Sequence, residues 1–392
     1  MSQREYDLVI FGATGFTGRL TAQYLARRAR KMPFRLAIAG RDESKLQRVQ
    51  DSLREIYPEF DAGTIVADLE DPASLREMAE STSVLATTVG PYGRYGEPVV
   101  SACVAAATHY TDITGEPQFV RRMLENYGLL ARENGVRIVN CCGFDSIPHD
   151  LGALFTVRQL PREVPVRLEG FVLGEGGFSG GTWQSAVEAM AGAHRWLPQE
   201  LLRGRSLESQ DGRRARALIE TVRYVRDLGC WASPLPTIDS SIVLRSAQML
   251  DDFGPDFRYG HYVRVPSLAK LAAGSLAVGG IFAAAQFKPT RRWLLSLRPS
   301  GSGPRESTRQ RSRFSVVFLG RGGGQTVRTE VSGGDPGYGE TSKMLAEASL
   351  TLALDQGRLP ERFGVLTPAA AMGDVLLERL QAAGIRFEVL GD

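Results

Sequence analysis

Several features that would assign a protein class at once are scarce or missing in this chain of 392 residues. Its four cysteines form no C-x-x-C pair, and its four histidines show no zinc-ligand spacing with them. We therefore expect a reduced, cytoplasmic protein without a metal site. The opening residues, MSQREYDLVIFGATG, contain no basic stretch followed by an apolar one, so we expect no signal peptide. The net charge is only +3, and Lys and Arg alternate with Asp and Glu, which argues against a nucleic-acid partner.

The composition is that of an ordinary globular protein, with 43% hydrophobic and 23% charged residues and enough length for about two domains. Short apolar runs alternate with helical patterns as far as residue 143. The runs are YDLVIFG, RLAIAG, GTIVAD, SVLATTVG, HYTDIT and VRIVNCCG. Six buried strands with intervening helices predict an α/β fold with a Rossmann-type doubly wound parallel sheet.

The pattern changes after residue 150. RFSVVFLG and QTVRTEVSG flank an RGGG turn and predict a β-hairpin, whereas residues 299–312 have the composition of a loop. We place a nucleotide-binding domain at 1–150 and a second, α+β domain for substrate or dimerisation at 151–334. Two helical patterns fill 335–392, and the sequence leaves open whether they return to the first domain.

The sequence GATGFTG lies between the first strand and the first helix and predicts a dinucleotide site. Gly12 permits the tight turn, Gly15 lets the backbone approach a pyrophosphate, and Gly18 allows close packing of helix on strand. The alternative is a plain glycine turn. The predicted contact residues of this loop are Gly12, Ala13, Thr14, Gly15, Phe16, Thr17 and Gly18.

The residues after the second strand favour NADP over NAD. Arg41 stands where an NAD site would usually place an acid, and its guanidinium suits a 2′-phosphate. Lys45 adds a second positive charge, while Asp42 either caps the next helix or binds a ribose hydroxyl. After the third strand, Asp68 either contacts the adenine ring or caps the helix that begins at PASLREM.

The loops after strands four, five and six lead to the carboxyl edge of the sheet, where open α/β proteins bind their ligands. The first loop contributes Gly90, Pro91, Tyr92 and Tyr95, which can face the nicotinamide end of the cofactor; each tyrosine either donates a proton or merely packs. The other two loops carry Asp112, Glu116, Asp145, Ser146, His149 and Asp150. Acids near a cleft suit proton transfer, and Asp145 is the candidate here, whereas helix capping is the preferred interpretation of Ser146.

An apolar segment, LAAGSLAVGGIFAAA at 271–285, lies within the stretch 267–298. Cations stand on both sides of the segment, with a tryptophan on the C-terminal side: Arg264 and Lys270 precede it, and Lys288, Arg291, Arg292, Trp293 and Arg298 follow it. The segment is shorter than the roughly 20 residues that a membrane span needs. Three interpretations stay open: a peripheral contact at the inner face of the plasma membrane, a wall of a site for an apolar substrate, or a helix buried in the second domain or in a homodimer interface.

Together the motifs resemble the saccharopine dehydrogenase-like oxidoreductases, especially their trans-acting enoyl reductase branch. They are YDLVIFGATGFTGRL, AIAGR, TTVGPYGRYGEPVVSAC, THYTDITGEP, CGFDSIPHDLG, SGGT, VSGGDPGYGETSKMLAEA and GVLTPAAAMGD. The resemblance implies an NADP-dependent reductase of a C=C bond in a lipid- or polyketide-like intermediate bound to a separate synthase. It assigns Gly12, Gly15, Gly18 and Arg41 to the cofactor and the GPYGRYG loop to the active site.

Two other functions compete with this one. A saccharopine-type dehydrogenase would reduce an imine formed from an amino acid and would need convergent arginines in the second domain, whereas the arginines of RGRSLESQDGRRARA have the pattern of exposed charge. A membrane-associated NADP-binding scaffold would bind the cofactor without turnover.

Overall fold

The computed structural model describes residues 4–175, 183, 186–188, 190–192, 207–208, 212–218, 221–297 and 306–391. The chain divides into two compact units. The first contains residues 1–144 and 337–383, and the second contains residues 145–336 and 384–392. The sequence placed its boundaries at 150 and 334.

The first unit is built on a seven-stranded sheet in the order β15-β6-β5-β4-β1-β2-β3, with every pair parallel. Its strands are β1 Tyr6–Phe11, β2 Leu36–Gly40, β3 Gly63–Val66, β4 Thr82–Thr87, β5 His109–Asp112, β6 Arg137–Val139 and β15 Gly364–Leu366. The strand order reverses between β1 and β4, which places the loops that follow these two strands side by side. The six predicted strands and the doubly wound fold are confirmed, and the C-terminal part of the chain supplies the seventh strand.

Helices cover this sheet and bury most of its strands, except for the edge strand β3. The helices are α1 Phe16–Ala29, α2 Glu43–Ile56, α3 Pro72–Glu80, α4 Tyr92–Ala105, α5 Pro117–Glu133, α11 Gly339–Leu354 and α12 Pro368–Ala382. Leu8, Val9 and Ile10 are consecutive and fully buried, which explains why β1 reads as a continuous apolar run without alternation. The two C-terminal helical patterns are helices of the first unit: α11 packs on α1, β4 and β5, and α12 packs on α11.

The second unit contains a mixed nine-stranded sheet. Its main path is β10-β11-β12-β7-β13-β14-β16, and β9 pairs with β12 and with β8. The strands are β7 Val166–Glu175, β8 Leu207–Glu208, β9 Arg214–Ala217, β10 Arg223–Val225, β11 Cys230–Pro234, β12 Asp256–Val265, β13 Arg313–Gly322, β14 Gln325–Gly333 and β16 Arg386–Leu390. The predicted hairpin is confirmed as β13 and β14, whose turn residues Gly323 and Gly324 have φ of 58° and 78°. Glycine suits both positions, because a positive φ strains a residue that carries a side chain.

Two helices, α6 Ile147–Val157 and α7 Asp239–Met249, pack together, and α6 lies on the β13–β14 hairpin. A Cβ atom at Gly152 would lie 2.5 Å from Phe318 Cε2, so the glycine permits the close approach of α6 to β13. The remaining helices are α8 Leu268–Gln286, α9 Lys288–Leu297 and α10 Glu306–Arg311. Helix α10 corrects the expectation of a loop over 299–312 as far as the described residues reach.

The apolar segment forms helix α8, and only Ala285 of its 19 residues is buried in the structure. The interpretation that places it inside the second domain is therefore wrong. The helix is also longer than the 15-residue apolar run, because its ends add polar and small residues. Within the described part of the chain, it is the one helix long and apolar enough to cross a membrane, with mean hydropathy 1.6. Length alone therefore does not exclude a span.

Candidate functional site

The loop between β1 and α1 has no space for side chains at two of its three glycines. Gly12 has φ 89°, and a Cβ atom there would lie 2.7 Å from Val89 Cγ2. A Cβ atom at Gly18 would collide with the carbonyl oxygen of Gly12. The Gly15 N–H donates to that same oxygen at 2.9 Å and closes the turn. The loop is thus held close to the strand, with its backbone directed to the edge of the sheet.

Helix α1 begins at the end of this loop, and no acidic side chain in its first turn neutralises the positive end of its dipole. Gly15 is the N-cap residue, no side chain caps the helix, and the first turn contains no acidic residue. The helix dipole and its first N–H groups are suited to a phosphate. Ala13 is buried, while Thr14 lies beside Gly40 at the end of β2, so the loop adjoins the position of Arg41.

Arg41 is exposed, and its side chain makes no hydrogen bond or ion pair with any residue that the structure describes. Asp42 instead caps α2: its carboxylate accepts from the Lys45 N–H at 3.0 Å and lies 3.3 Å from Lys45 Nζ. The Lys45 N–H lowers the pKa of Asp42 below its ordinary value. Arg41 is therefore the more available of the two predicted cations for a 2′-phosphate.

Asp68 does not cap α3, which corrects one of the two interpretations given for it. The N-cap of α3 is Asp71, whose carboxylate accepts from the Ala73 N–H at 3.0 Å. The Asp68 carboxylate accepts from the Glu70 N–H at 3.0 Å, in a turn just beyond β3. The run DLEDP holds two aspartates ahead of one helix, and only the nearer one has capping geometry.

The two tyrosines of the loop after β4 differ in their surroundings. Tyr92 is buried, and its hydroxyl donates to the Thr87 carbonyl oxygen at 3.0 Å; burial, and then the charge of Asp112, raise its pKa well above the ordinary value. Tyr95 is partly buried, with the Arg94 guanidinium 5.0 Å from its ring centroid. Within the described chain the Tyr95 hydroxyl has no hydrogen-bond partner. The Tyr92 hydroxyl therefore holds the loop to the end of β4, whereas the Tyr95 hydroxyl is not engaged by any residue that the structure describes.

The predicted acids of the first unit hold its loops. Glu116 caps α4, accepting from the Tyr92 and Gly93 N–H groups at 2.9 and 2.8 Å, and Pro91 is the N-cap residue of that helix. Asp112 accepts from the Thr114 and Cys141 N–H groups at 3.0 and 2.9 Å. Burial raises the pKa of Asp112 to about 6 although these donors oppose the shift.

Asp145 belongs to the second unit and is partly buried. Its carboxylate accepts no hydrogen bond within the part of the chain that the structure describes. Burial, and then the charge of Asp239, raise the pKa of Asp145 to about 6. The next residue, Ser146, is the N-cap of α6, but its hydroxyl donates to the Asp145 carbonyl oxygen and does not cap the helix.

A buried cluster of polar side chains in the second unit escaped the sequence analysis. Asp239 lies between His149 and His261, with Oδ1 3.0 Å from His149 Nδ1 and Oδ2 3.4 Å from His261 Nε2. These residues come from α6, α7 and β12, so no local spacing could reveal them. One signal was available: in DFRYGHYVRV, Phe257, Tyr259 and His261 alternate with other residues, which is typical of one face of a strand.

Convergent arginines are also present in the second unit, contrary to the expectation drawn from the 203–217 stretch. Arg167, Arg223 and Arg321 all pair with Glu169, which is almost fully buried. Of the predicted exposed arginines, Arg213 is only 16% exposed and pairs with Asp251 at 3.0 Å. The SGGT motif, residues 179–182, lies outside the described residues, as does much of 203–217.

Comparisons with known proteins agree with this architecture. Residues 8–139 match the family model of the saccharopine dehydrogenase NADP-binding domain. A relative in Mycobacterium tuberculosis assigned as a trans-acting enoyl reductase is 38% identical over 98% of this chain and 97% of its own length. The trans-acting enoyl reductase of Mycobacterium ulcerans is 36% identical with the same coverage.

Among solved structures, apo saccharopine dehydrogenase (L-Glu forming) from Saccharomyces cerevisiae is similar over 98% of this chain and 99% of its own. The TM-score is 0.56 and the sequence identity 13%, which supports the shared fold alone. The matched domain and the glycine loop make the chain an NADP-dependent oxidoreductase. With relatives above 35% identity over nearly its whole length, the chain belongs to the trans-acting enoyl reductases of the saccharopine dehydrogenase-like oxidoreductase family.

Proposed function

We propose that this protein reduces the C=C bond of an enoyl thioester in a lipid- or polyketide-like intermediate carried by a separate synthase. The observation that carries this proposal is the likeness to proteins named trans-acting enoyl reductase over 98% of the chain. When bound, NADPH supplies the hydride that the β-carbon of such a substrate receives.

The residues of the first unit divide the binding of the cofactor among them. The backbone of Gly12–Gly18 and the start of α1 receive the pyrophosphate, and Arg41 receives the 2′-phosphate. Lys45 adds positive charge nearby, and Asp68 faces the adenine end. Gly90 and Pro91 lie at the nicotinamide end, with Tyr92 behind them holding the loop through Thr87.

Tyr95 is the proton donor we assign to the α-carbon, because its hydroxyl has no protein partner among the described residues and is not enclosed. Asp145, in the second unit, is the other candidate acid. A positioned donor contributes about 10² to 10⁴ in rate. Tyr95→Phe should lower kcat by that range and leave KM for NADPH unchanged, while Tyr127→Phe, at a partly buried tyrosine of α5, is the matched control and should retain turnover. The reverse order would remove Tyr95 from this role.

The reaction itself is tested by following NADPH oxidation with a long-chain 2-enoyl thioester, and in parallel with an amino acid plus an aldehyde. Consumption with the thioester alone is the expected result. Consumption only with the imine-forming pair would favour the saccharopine-type reaction, for which the arginines around Glu169 offer carboxylate-binding groups. NADPH binding without turnover on either substrate would favour the scaffold.

Cofactor choice is tested at Arg41. A charge-assisted hydrogen bond is worth about 1.5–3 kcal/mol, so Arg41→Gln should raise KM for NADPH by about 10- to 100-fold and barely change KM for NADH. Arg48→Gln, a change at an exposed arginine of α2, is the matched control and should leave both constants unchanged. Equal effects on both cofactors would place Arg41 outside the 2′-phosphate site.

We further propose that helix α8 contacts the membrane surface, where an apolar substrate would be available. Leu276 is 78% exposed, and Phe282, Phe287 and Trp293 are exposed along α8 and α9. Lys288, Arg291 and Arg292 add positive charge that suits anionic headgroups. A cytoplasmic location and a homodimer through the same helix stay predictions.

Vesicle flotation tests this contact. The protein should float with vesicles containing phosphatidylglycerol and remain below with phosphatidylcholine alone. Leu276→Ser should reduce flotation, whereas Leu129→Ser, at a comparably exposed leucine of α5, should not. If flotation fails but Leu276→Ser dissociates a dimer in sedimentation, α8 is a subunit interface instead.

A further inference from the structure

The cluster of His149, Asp239 and His261, here called the histidine–aspartate cluster, has the composition of a metal site. All three side chains are at most 6% exposed, and one potential ligand atom from each lies within 4.8 Å of the others. Two imidazoles and one carboxylate are a donor set that suits first-row divalent metals such as Zn²⁺. All three belong to the second unit.

The distances to Asp239 match those between ligands of one metal ion. Two atoms about 2.1 Å from a zinc ion are about 3.0 Å apart at a right angle and about 3.4 Å apart at the tetrahedral angle. The carboxylate oxygens lie 3.0 Å from His149 Nδ1 and 3.4 Å from His261 Nε2. The two imidazoles, whose ring centroids are 4.9 Å apart and nearly perpendicular, need only a small approach to complete the set.

Neighbouring hydroxyl groups orient the ligands from behind. Tyr259 Oη lies 3.1 Å from His261 Nδ1, so the other ring nitrogen, Nε2, is the one directed at Asp239. The Thr237 hydroxyl donates to Asp239 Oδ2. Metal-binding histidines usually engage their second nitrogen in this way, because the outer bond fixes the tautomer and the ring orientation.

The charges of the cluster favour a cation. A carboxylate buried in an apolar interior is costly without compensation, and a bound cation would supply that compensation. We propose that the histidine–aspartate cluster binds one Zn²⁺-like divalent cation through His149 Nδ1, His261 Nε2 and the Asp239 carboxylate, leaving a coordination position for water. Three protein ligands and an open position are typical of zinc sites that act on a substrate.

Direct metal binding is the first test. Purified full-length protein, stripped with a chelator, is titrated with Zn²⁺ against a chromophoric competitor and, separately, with Co²⁺ while its visible spectrum is recorded. We expect one equivalent of Zn²⁺ with submicromolar affinity, and Co²⁺ absorption bands of a four-coordinate nitrogen–oxygen site that Zn²⁺ abolishes. If neither metal binds, the proposal is overturned, and hydrogen bonds alone join the three side chains.

Variants locate the site. His149→Gln, His261→Gln and Asp239→Asn should each lower Zn²⁺ affinity by at least 100-fold, and Tyr259→Phe, which removes only the outer hydrogen bond, by about 10- to 100-fold. His109→Gln, at the buried histidine of the first unit, is the control and should bind as the parent does. Tyr259→Phe keeps the buried ring and should fold. It therefore still tests the metal site if a variant of a ligand residue does not fold. Equal affinity in all variants would place the metal elsewhere.

Discussion

Helices α8 and α11 reverse the usual relation between side-chain polarity and burial. Helix α8 consists mostly of Ala, Gly and Leu, yet a single one of its residues is buried. Helix α11 carries Glu347, Ser349 and Thr351, all of them fully buried. Polarity alone therefore does not decide burial. Polar side chains are buried where other side chains form hydrogen bonds or ion pairs with them, and apolar side chains stay exposed where no other part of the chain packs on them.

The partners of α11 are specific. Glu347 accepts from the Tyr24 hydroxyl at 2.6 Å and pairs with Arg28 at 2.8 Å and Arg379 at 3.3 Å, so α1, α11 and α12 are joined at one carboxylate. Ser349 Oγ lies 2.8 Å from Thr111 Oγ1 on β5. Four predictions test how much buried polar side chains contribute to the free energy of unfolding, and whether α8 contributes as little to it as its exposure indicates.

The largest effect is expected at Glu347. Glu347→Ala leaves two largely buried arginines without their shared partner, and breaking such a pair should lower the free energy of unfolding by about 3 kcal/mol in urea titration. The control is Glu378→Gln, which removes an exposed ion pair with Arg358 and should cost less than about 1 kcal/mol. Similar losses in both variants would mean that burial adds nothing to the Glu347 pairs.

Asp112 sharpens the comparison because it is a buried carboxylate that accepts from neutral donors, the Thr114 and Cys141 N–H groups and the Asn140 amide. Its pKa is raised to about 6, so its contribution to stability is present below its ordinary pKa of 3.8 and is lost as the pH rises through 6. Relative to Asp112→Asn, the parent should lose about 2 kcal/mol between pH 4.5 and pH 7. Urea titrations at several pH values measure this, and a difference that does not vary with pH would contradict the raised pKa.

Ser349 tests a single hydroxyl of α11. Ser349→Ala removes the bond to Thr111 and leaves that buried hydroxyl short of a partner, at an expected cost of about 1 kcal/mol. Ser275→Ala, at an exposed serine of α8, is the matched control and should not destabilise the protein. Thermal unfolding of both variants measures this cost. Equal midpoints would show that the hydroxyl pair does not stabilise the protein.

The smallest effect is expected at Leu276 of α8. Because this side chain is 78% exposed, Leu276→Ser should change the free energy of unfolding by no more than about 0.5 kcal/mol. A loss above about 2 kcal/mol at low protein concentration would show that the leucine is buried in solution. In that case the contrast with α11 would disappear.

Much of the first unit was predictable because its signals are local. The apolar runs marked β1 to β6, and GATGFTG marked the turn, since only glycine satisfies the positive φ at Gly12 and the contact at Gly18. Capping was less predictable. Asp68 and Asp71 are both acids ahead of α3, and the choice between them depends on where the backbone turns.

The sequence by itself determined the Rossmann-type sheet, the glycine loop, the NADP cofactor and the family, because each depends on residues close together in the chain. Only the tertiary structure decided the rest. It buried Tyr92 with its hydroxyl on Thr87, made β15 the seventh strand, left α8 exposed, and brought His149 together with Asp239 and His261. The pairing of β15 with β6, for example, joins Gly364 to Arg137, 227 positions apart, and local pattern carries no information about such contacts.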